Sequence, residues 1–229
     1  MRAEWFKRAR NEEGNSALFV IGLMGIMMIL FVFVLNFAKV FAVKEEAMTT
    51  SQQASLAATA VFYEEMNRWI EEYEDEKGIL EKLLDGKSIP EKIEEKKSDL
   101  AGKAKYRDYS DNELSIEALD LVMRDLLTKG DANPDLHNEL AREIEYSMMP
   151  LMVAEARDTI IRNGGNTSGA TMAVKNGQVY VRASNTMEGT SFKGFFTDLK
   201  EDLFQDAAGP KIDFWEDVRY LNIGERSLE

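Results

Sequence analysis

The sequence predicts an α+β chain: a long N-terminal membrane-spanning helix continues into an extracytoplasmic head with a helical middle region and a C-terminal antiparallel sheet. Three observations carry this. Ala17 to Leu35 holds 19 positions without a charge. Apolar residues recur at helical spacing through most of the remaining chain. Asn176-Gly177 then sits between alternating apolar residues, a two-residue hairpin signal that places strands within about 170–185.

The uncharged run justifies the first element. At about 1.5 Å of rise per residue, 19 helical residues reach roughly 28 Å, the thickness of a bilayer's hydrocarbon. Lipid offers backbone amides no partner, so such a segment must be helical. Arg2, Lys7, Arg8 and Arg10 precede it, while Lys39 and Lys44 come after it and are met at once by Glu45 and Glu46. That asymmetry predicts a single-pass chain with a cytoplasmic N-terminus and an extracytoplasmic C-terminal part. The expected division is a leader at 1–14, a transmembrane helix at 15–43, a helical continuation at 44–77 and an acidic α+β head at 78–229.

Charge and composition exclude several function classes. Residues 1–44 carry six Lys/Arg against three Asp/Glu, a net of +3, so the formal net charge of −13 leaves −16 for the remainder. A field of that sign repels phosphate backbones, so no nucleic-acid partner is expected. There is no cysteine, which removes disulfides, thiol nucleophiles and thiolate metal sites. His137 is the single histidine, so a His-based triad or a two-histidine zinc site cannot be built within one chain.

The helical continuation is rich in Ala and Gln, without Gly or Pro. Its small residues, Ala47, Ala54, Ala57, Ala58 and Ala60, allow another helix close. Phe62, Met66, Trp69 and Tyr73 then recur at four, three and four residues, with Glu64, Glu65, Arg68, Glu71 and Glu72 opposite. This reads as a stripe buried against the head rather than a ligand platform. Helix from Asn15 to Lys77 would run about 95 Å, ending at Gly78, with room for a break near Asn36.

Shorter pieces come next. Ile79–Leu84 is expected to be helical, stopping at Asp85-Gly86, and Pro90 opens a charged helix to about Lys97. Ser110 and Glu113 form a capping box for a helix reaching about Lys129, with Leu119, Val122, Met123, Leu126 and Leu127 as its apolar stripe. Asn133 caps the next helix with Pro134 in its first position; Leu136, Leu140, Ile144 and Met148 share a face. Pro150 is expected to kink it before it resumes to about Arg162. A loop over 162–169 leads to the hairpin, and a third strand is expected near Thr186–Phe192. From Lys193, Phe195, Phe196, Leu199 and Leu203 suggest a helix broken by Gly209-Pro210. Ile212, Phe214, Trp215, Val218 and Tyr220 form a last apolar segment of open type.

No chemistry stands out. Asp131, Asn133 and Asp135 begin like a calcium loop, but Leu136 takes its glycine position and Arg142 the place of its bidentate glutamate. Asp198, Glu201 and Asp202 pose as an acid/base pair, as chance provides among 41 carboxylates. Without a nucleophile elbow, phosphate loop or metal spacing, no enzyme activity, cofactor or small-molecule substrate is expected.

The N-terminal order itself is informative. A charged leader ending at Gly14, then Asn15-Ser16 and an immediate hydrophobic helix, resembles a type IV prepilin. With the Ala/Gln-rich helix after the span, residues 10–60 resemble the TadE/TadG-like proteins of tight-adherence (Flp) pilus systems. The resemblance implies a pseudopilin or minor pilin, with membrane lipid and other pilin or pseudopilin subunits as partners. It also implies a prepilin peptidase that cleaves between Gly14 and Asn15 while the helix is retained. Phe19, Gly22, Gly25, Ala54, Ala57 and Ala58 would be its helix–helix packing positions. Phe19 stands where true pilins carry a glutamate, five residues into the mature helix. That departure keeps open a second reading, an anchored assembly factor that recruits another envelope protein.

Overall fold

The computed structural model describes residues 12–77, 86–128, 134–189, 200–219, 221 and 223–229. Helix α1 runs unbroken over Glu12–Lys77, 66 residues. Asn36 does not interrupt it; its side-chain amide donates to the Val32 carbonyl one turn back at 3.0 Å. Among the described residues four α-helices come after it: α2 (Ile89–Ala101), α3 (Asp111–Thr128), α4 (Pro134–Glu143) and α5 (Met149–Arg162). The sheet comprises β1 (Asn166–Lys175), β2 (Gln178–Glu188), β3 (Lys200–Lys211) and β4 (Arg226–Ser227), in the order β3-β2-β1-β4, antiparallel. The α+β class read from the sequence is therefore the observed one.

The chain divides into two compact units, one drawn from Met1–Glu45 and Thr186–Leu203, the other from Glu46–Asn185 and Phe204–Glu229. In the first, Lys39 Nζ donates to the Glu188 carbonyl at 3.4 Å, Lys200 Nζ lies 3.6 Å from a Glu188 carboxylate oxygen, and Thr186 donates to Asp202 at 2.7 Å.

The second unit holds the core. The sheet takes its curvature and register from local chemistry. Asn176 (φ 52°) and Gly177 (φ 70°) form the two-residue turn, and Lys175 faces Gln178 across it. Positive φ at both turn positions matches the twist of the strands. Gly177 is also needed for space, because a Cβ there would lie 2.9 Å from the Ile212 carbonyl oxygen. β1 begins earlier than expected, at Asn166, because a bulge between Asn166 and Thr171, with Gly169 at φ +69°, lets the loop pair before the strand turns regular.

Helix starts obey their caps. The Ser110 hydroxyl oxygen accepts the Glu113 amide at 3.3 Å and the Glu113 carboxylate accepts the Ser110 amide at 2.7 Å. Ser88 and Glu91 repeat the device at α2, which extends to Ala101 rather than stopping near Lys97. Between α4 and α5, Ile144–Met148 is a π-helical turn. Pro150 lacks the N–H that would bond the Tyr146 carbonyl, and the wider turn absorbs that loss where the sequence predicts a kink. Leu136, Leu140, Ile144 and Met148 are all buried, as their spacing requires.

Two expectations are corrected. The segment 193–203 is expected from sequence to be helical and broken by Gly209-Pro210, but Lys200–Lys211 is strand β3, and both residues lie inside it. Local propensity loses to packing here. Ala207 and Gly209 turn inward, alternating with exposed Asp206, Ala208 and Pro210. β3 is an edge strand, which tolerates a proline. Of the third strand expected near Thr186–Phe192, the part up to Glu188 is instead the end of β2, whose neighbour is β3, and 190–192 lie outside the described residues. The C-terminal segment turns at Trp215–Asp217 and adds β4, with Thr171 opposite Ser227 and Met172 opposite Arg226. Ile79–Leu84, Phe195, Phe196, Leu199 and Tyr220 lie outside the described residues.

Candidate functional site

Ser16–Tyr73 contains, among the described residues, the one stretch of helix long and apolar enough to cross a membrane, and its most apolar 18 residues are entirely unburied. Exposure there is high for large apolar side chains: Phe19 is 71% exposed, Ile26 58% and Phe31 62%. A water-soluble chain rarely leaves so continuous an apolar surface uncovered, whereas lipid covers it without cost. Gly22 and Gly25 have no atom within 4 Å of where a Cβ would sit, so both notches on this surface are open. Gly14 and Asn15 lie in the first turn of α1.

The exposure ends at Ala47, the first fully buried residue of the helix. From there Thr50, Ser51, Ala54, Ser55, Ala58 and Thr59 form a buried face of small residues. Ala57 is half-buried beside them. The close approach they permit is made by the chain's own sheet. Ser51 Oγ donates to the Gln205 carbonyl at 2.8 Å and accepts the Ala183 amide at 3.1 Å, tying α1 to β3 and β2. Thr50 Oγ1 donates to Asn185 Oδ1 at 3.1 Å. A Cβ on Gly209 would meet Thr59 Oγ1 at 2.7 Å and the Ser55 carbonyl oxygen at 3.1 Å. Of the expected packing positions, then, Phe19, Gly22 and Gly25 face outward while Ala54 and Ala58 lie inside the fold.

Further along α1, Phe62 packs at 4.7 Å from the Trp215 ring and 6.0 Å from Phe214. Next to it Tyr63 donates to Asp120 of α3, equidistant from both carboxylate oxygens at 3.0 Å. Asp120 Oδ2 also accepts the Asp213 amide at 3.0 Å. One buried carboxylate thus joins α1, α3 and the segment just after β3. Burial pushes its pKa up to about 7, against the opposing effect of its hydrogen bonds and with the Asp213 and Glu117 charges adding to the rise. Burial and the same carboxylate also raise Tyr63, which stays a donor. No spacing in the sequence marks Asp120, which sits inside an apolar stripe. The only available signal is a carboxylate at a position whose neighbours, Leu119, Val122 and Met123, all face the core.

His137 is buried too, and its Nδ1 accepts the Arg219 amide at 3.3 Å. Burial, and then the Arg219 charge, hold the imidazole below its usual range, so it is a neutral structural acceptor. Asp202 serves as an acceptor for Thr186, and Asp198 lies outside the described residues, as do Asp131 and Asn133. Among the described residues no three His, Cys, Asp or Glu side chains converge as a metal site.

No curated protein and no solved structure matches this chain. Residues 14–61, the unburied helix together with the small-residue face, match the family model described as putative Flp pilus-assembly TadE/G-like, a match that supports a role in pilus assembly.

Proposed function

We propose that the chain is a pseudopilin or minor pilin of a Tad/Flp-type pilus, held in the membrane by α1 with its N-terminus cytoplasmic and its acidic head outside. The observation that carries this reading is the unburied apolar surface of α1, Leu18 to Leu35, within the segment that matches the pilus-assembly family. On this reading the surface is covered by lipid before assembly and by like helices after it, with Phe19 and the open notches at Gly22 and Gly25 admitting a neighbouring backbone. Ala54 and Ala58 are already buried in the chain's own core, so contacts between subunits would be confined to the part of α1 before Ala47. The role is mechanical and not catalytic.

A prepilin peptidase would cleave between Gly14 and Asn15. Co-expression with such a peptidase should move the mature N-terminus to Asn15, read by intact-mass measurement. Retention of the full leader under those conditions defeats the pilin reading.

Phe19 supports a second reading, a single-pass anchored assembly factor that recruits another envelope protein and never enters a filament. With Phe19 in that position, the apolar run Ala17–Leu35 carries no carboxylate with which to contact a neighbouring subunit. Shearing cells separates the two: a filament subunit is released with the pili, whereas a permanent anchor stays in the membrane fraction.

A further inference from the structure

One face of α1 is covered at the edge of the span. Val32, Asn36, Val40 and Val43 are partly covered, whereas Phe31, Val34, Phe37 and Phe41, at the same heights on other faces, are 61–70% exposed. A lone helix would expose Val32 and Val34 alike. Val32 belongs to the uncharged run, so what covers it reaches the level of the hydrocarbon. In the compact unit that holds this part of α1, the stretch paired with Met1–Glu45 is Thr186–Leu203.

The height of that stretch is fixed by its ends. Lys39, four residues or about 6 Å past the run, donates to the Glu188 carbonyl at the end of β2, and Glu188 pairs with Lys200 at the start of β3. Residues 190–199, outside the described residues, must therefore start and end beside Lys39. Ten extended residues reach out and back by roughly 16 Å, and Val32 is about 10 Å down the helix from Lys39. Phe192, Phe195, Phe196 and Leu199 make this stretch strongly apolar.

We infer that residues 190–199 of this chain dock on the Val32–Val43 face of α1, at the boundary of the leaflet nearest the head. Their apolar side chains gain helix and lipid as partners in place of water. The docking ties the end of β2 and the start of β3 to the span and takes up one side of it. At about 100° per residue, Gly22, Gly25 and Ile29 fall on that same side, within about 80° of arc. A neighbouring helix can then use this side only around the two glycines. The docking holds whether or not the chain enters a filament.

The chain has no cysteine, so paired thiols report the contact without background. The full chain is reconstituted in phospholipid vesicles as Val40→Cys/Phe196→Cys and as Phe41→Cys/Phe196→Cys, then oxidised with copper phenanthroline. A disulfide within one chain, read by intact mass, should form at least about tenfold faster in the first pair, where the docked segment holds the sulfurs close. Should that variant misfold, Asn36→Cys/Phe195→Cys carries the same expectation against Phe41→Cys/Phe195→Cys. Equal rates on the two faces overturn the inference and leave the segment to lipid alone. Rapid labelling of the Phe196→Cys thiol by a membrane-impermeant maleimide places the segment in water and overturns it too. A disulfide that forms only between chains, seen as a dimer when Val40→Cys and Phe196→Cys chains are mixed, assigns the face to a second copy instead.

Discussion

Asp120 is the residue whose chemistry most constrains the head. Its carboxyl is raised to about 7 in the folded chain, mainly by burial, while in the unfolded chain it has the ordinary aspartate value near 3.8. Between those values the folded state holds a proton that the unfolded state has lost. Stability from this group is therefore complete below about pH 4 and declines as pH rises, with a slope approaching about 1.4 kcal/mol per pH unit, until it levels off above about 7. Asp120→Asn removes that dependence. In denaturant titrations at a series of pH values, the variant should gain on the parent steadily from pH 4 to 7 and run parallel to it above. A constant difference over that range would show that Asp120 is ionised throughout. Gly209 and Gly177 test space instead of charge. Gly209→Ala should cost about 1–3 kcal/mol in the same titrations, the range of overpacking, because the added methyl meets the helix backbone at Ser55. Gly177→Ala should cost at least as much, since positive φ and the Ile212 carbonyl both oppose it.

Secondary elements differ in how openly the sequence declares them, and the difference is physical. α1, α3 and α4 each carry their own burial code, so Phe62, Met66, Leu119, Leu140 and Ile144 are readable as core from spacing alone. The hairpin is readable because a two-residue turn with positive φ nearly dictates Asn-Gly. β3 is not, because Lys200–Phe204 has helix-favouring residues and its inward positions, Ala207 and Gly209, are small rather than bulky and apolar. What selects a strand there is the small-residue face of α1, contributed from 154 positions away in the bond from Ser51 to Gln205. The Ala/Gln-rich helix is legible as a surface for close approach, but not what would approach it. Ala58→Leu tests that assignment. Ala58 is fully buried in the core, so the larger side chain should overpack it and destabilise the head by about 1–3 kcal/mol, read in denaturant titrations. If Ala58 instead served only contacts between chains, the isolated chain's stability would be unchanged.

At the scale of the whole molecule, two physical regimes share one helix. Over Leu18–Leu35 the large apolar side chains of α1 stay uncovered; from Ala54 to Tyr73 its inward residues are the spine of a core. The same 66 residues therefore answer to the membrane's rules at one end and to close packing at the other. The proposed orientation rests on charge alone. Arg2, Lys7, Arg8 and Arg10 lie on one side of the span and Lys39 and Lys44 on the other, and only the second pair is met at once by Glu45 and Glu46. Acidic residues contribute little to orientation, so the bias reduces to four basic residues against two. Replacing the four by glutamine reverses the sign of that bias without touching the apolar run. A periplasmically active reporter fused at the C-terminus should be active on the parent chain and lose most of its activity on the variant, while both remain in the membrane fraction after carbonate extraction. A reporter equally active on both would mean that translocation of the acidic head, and not the basic flank, sets the topology.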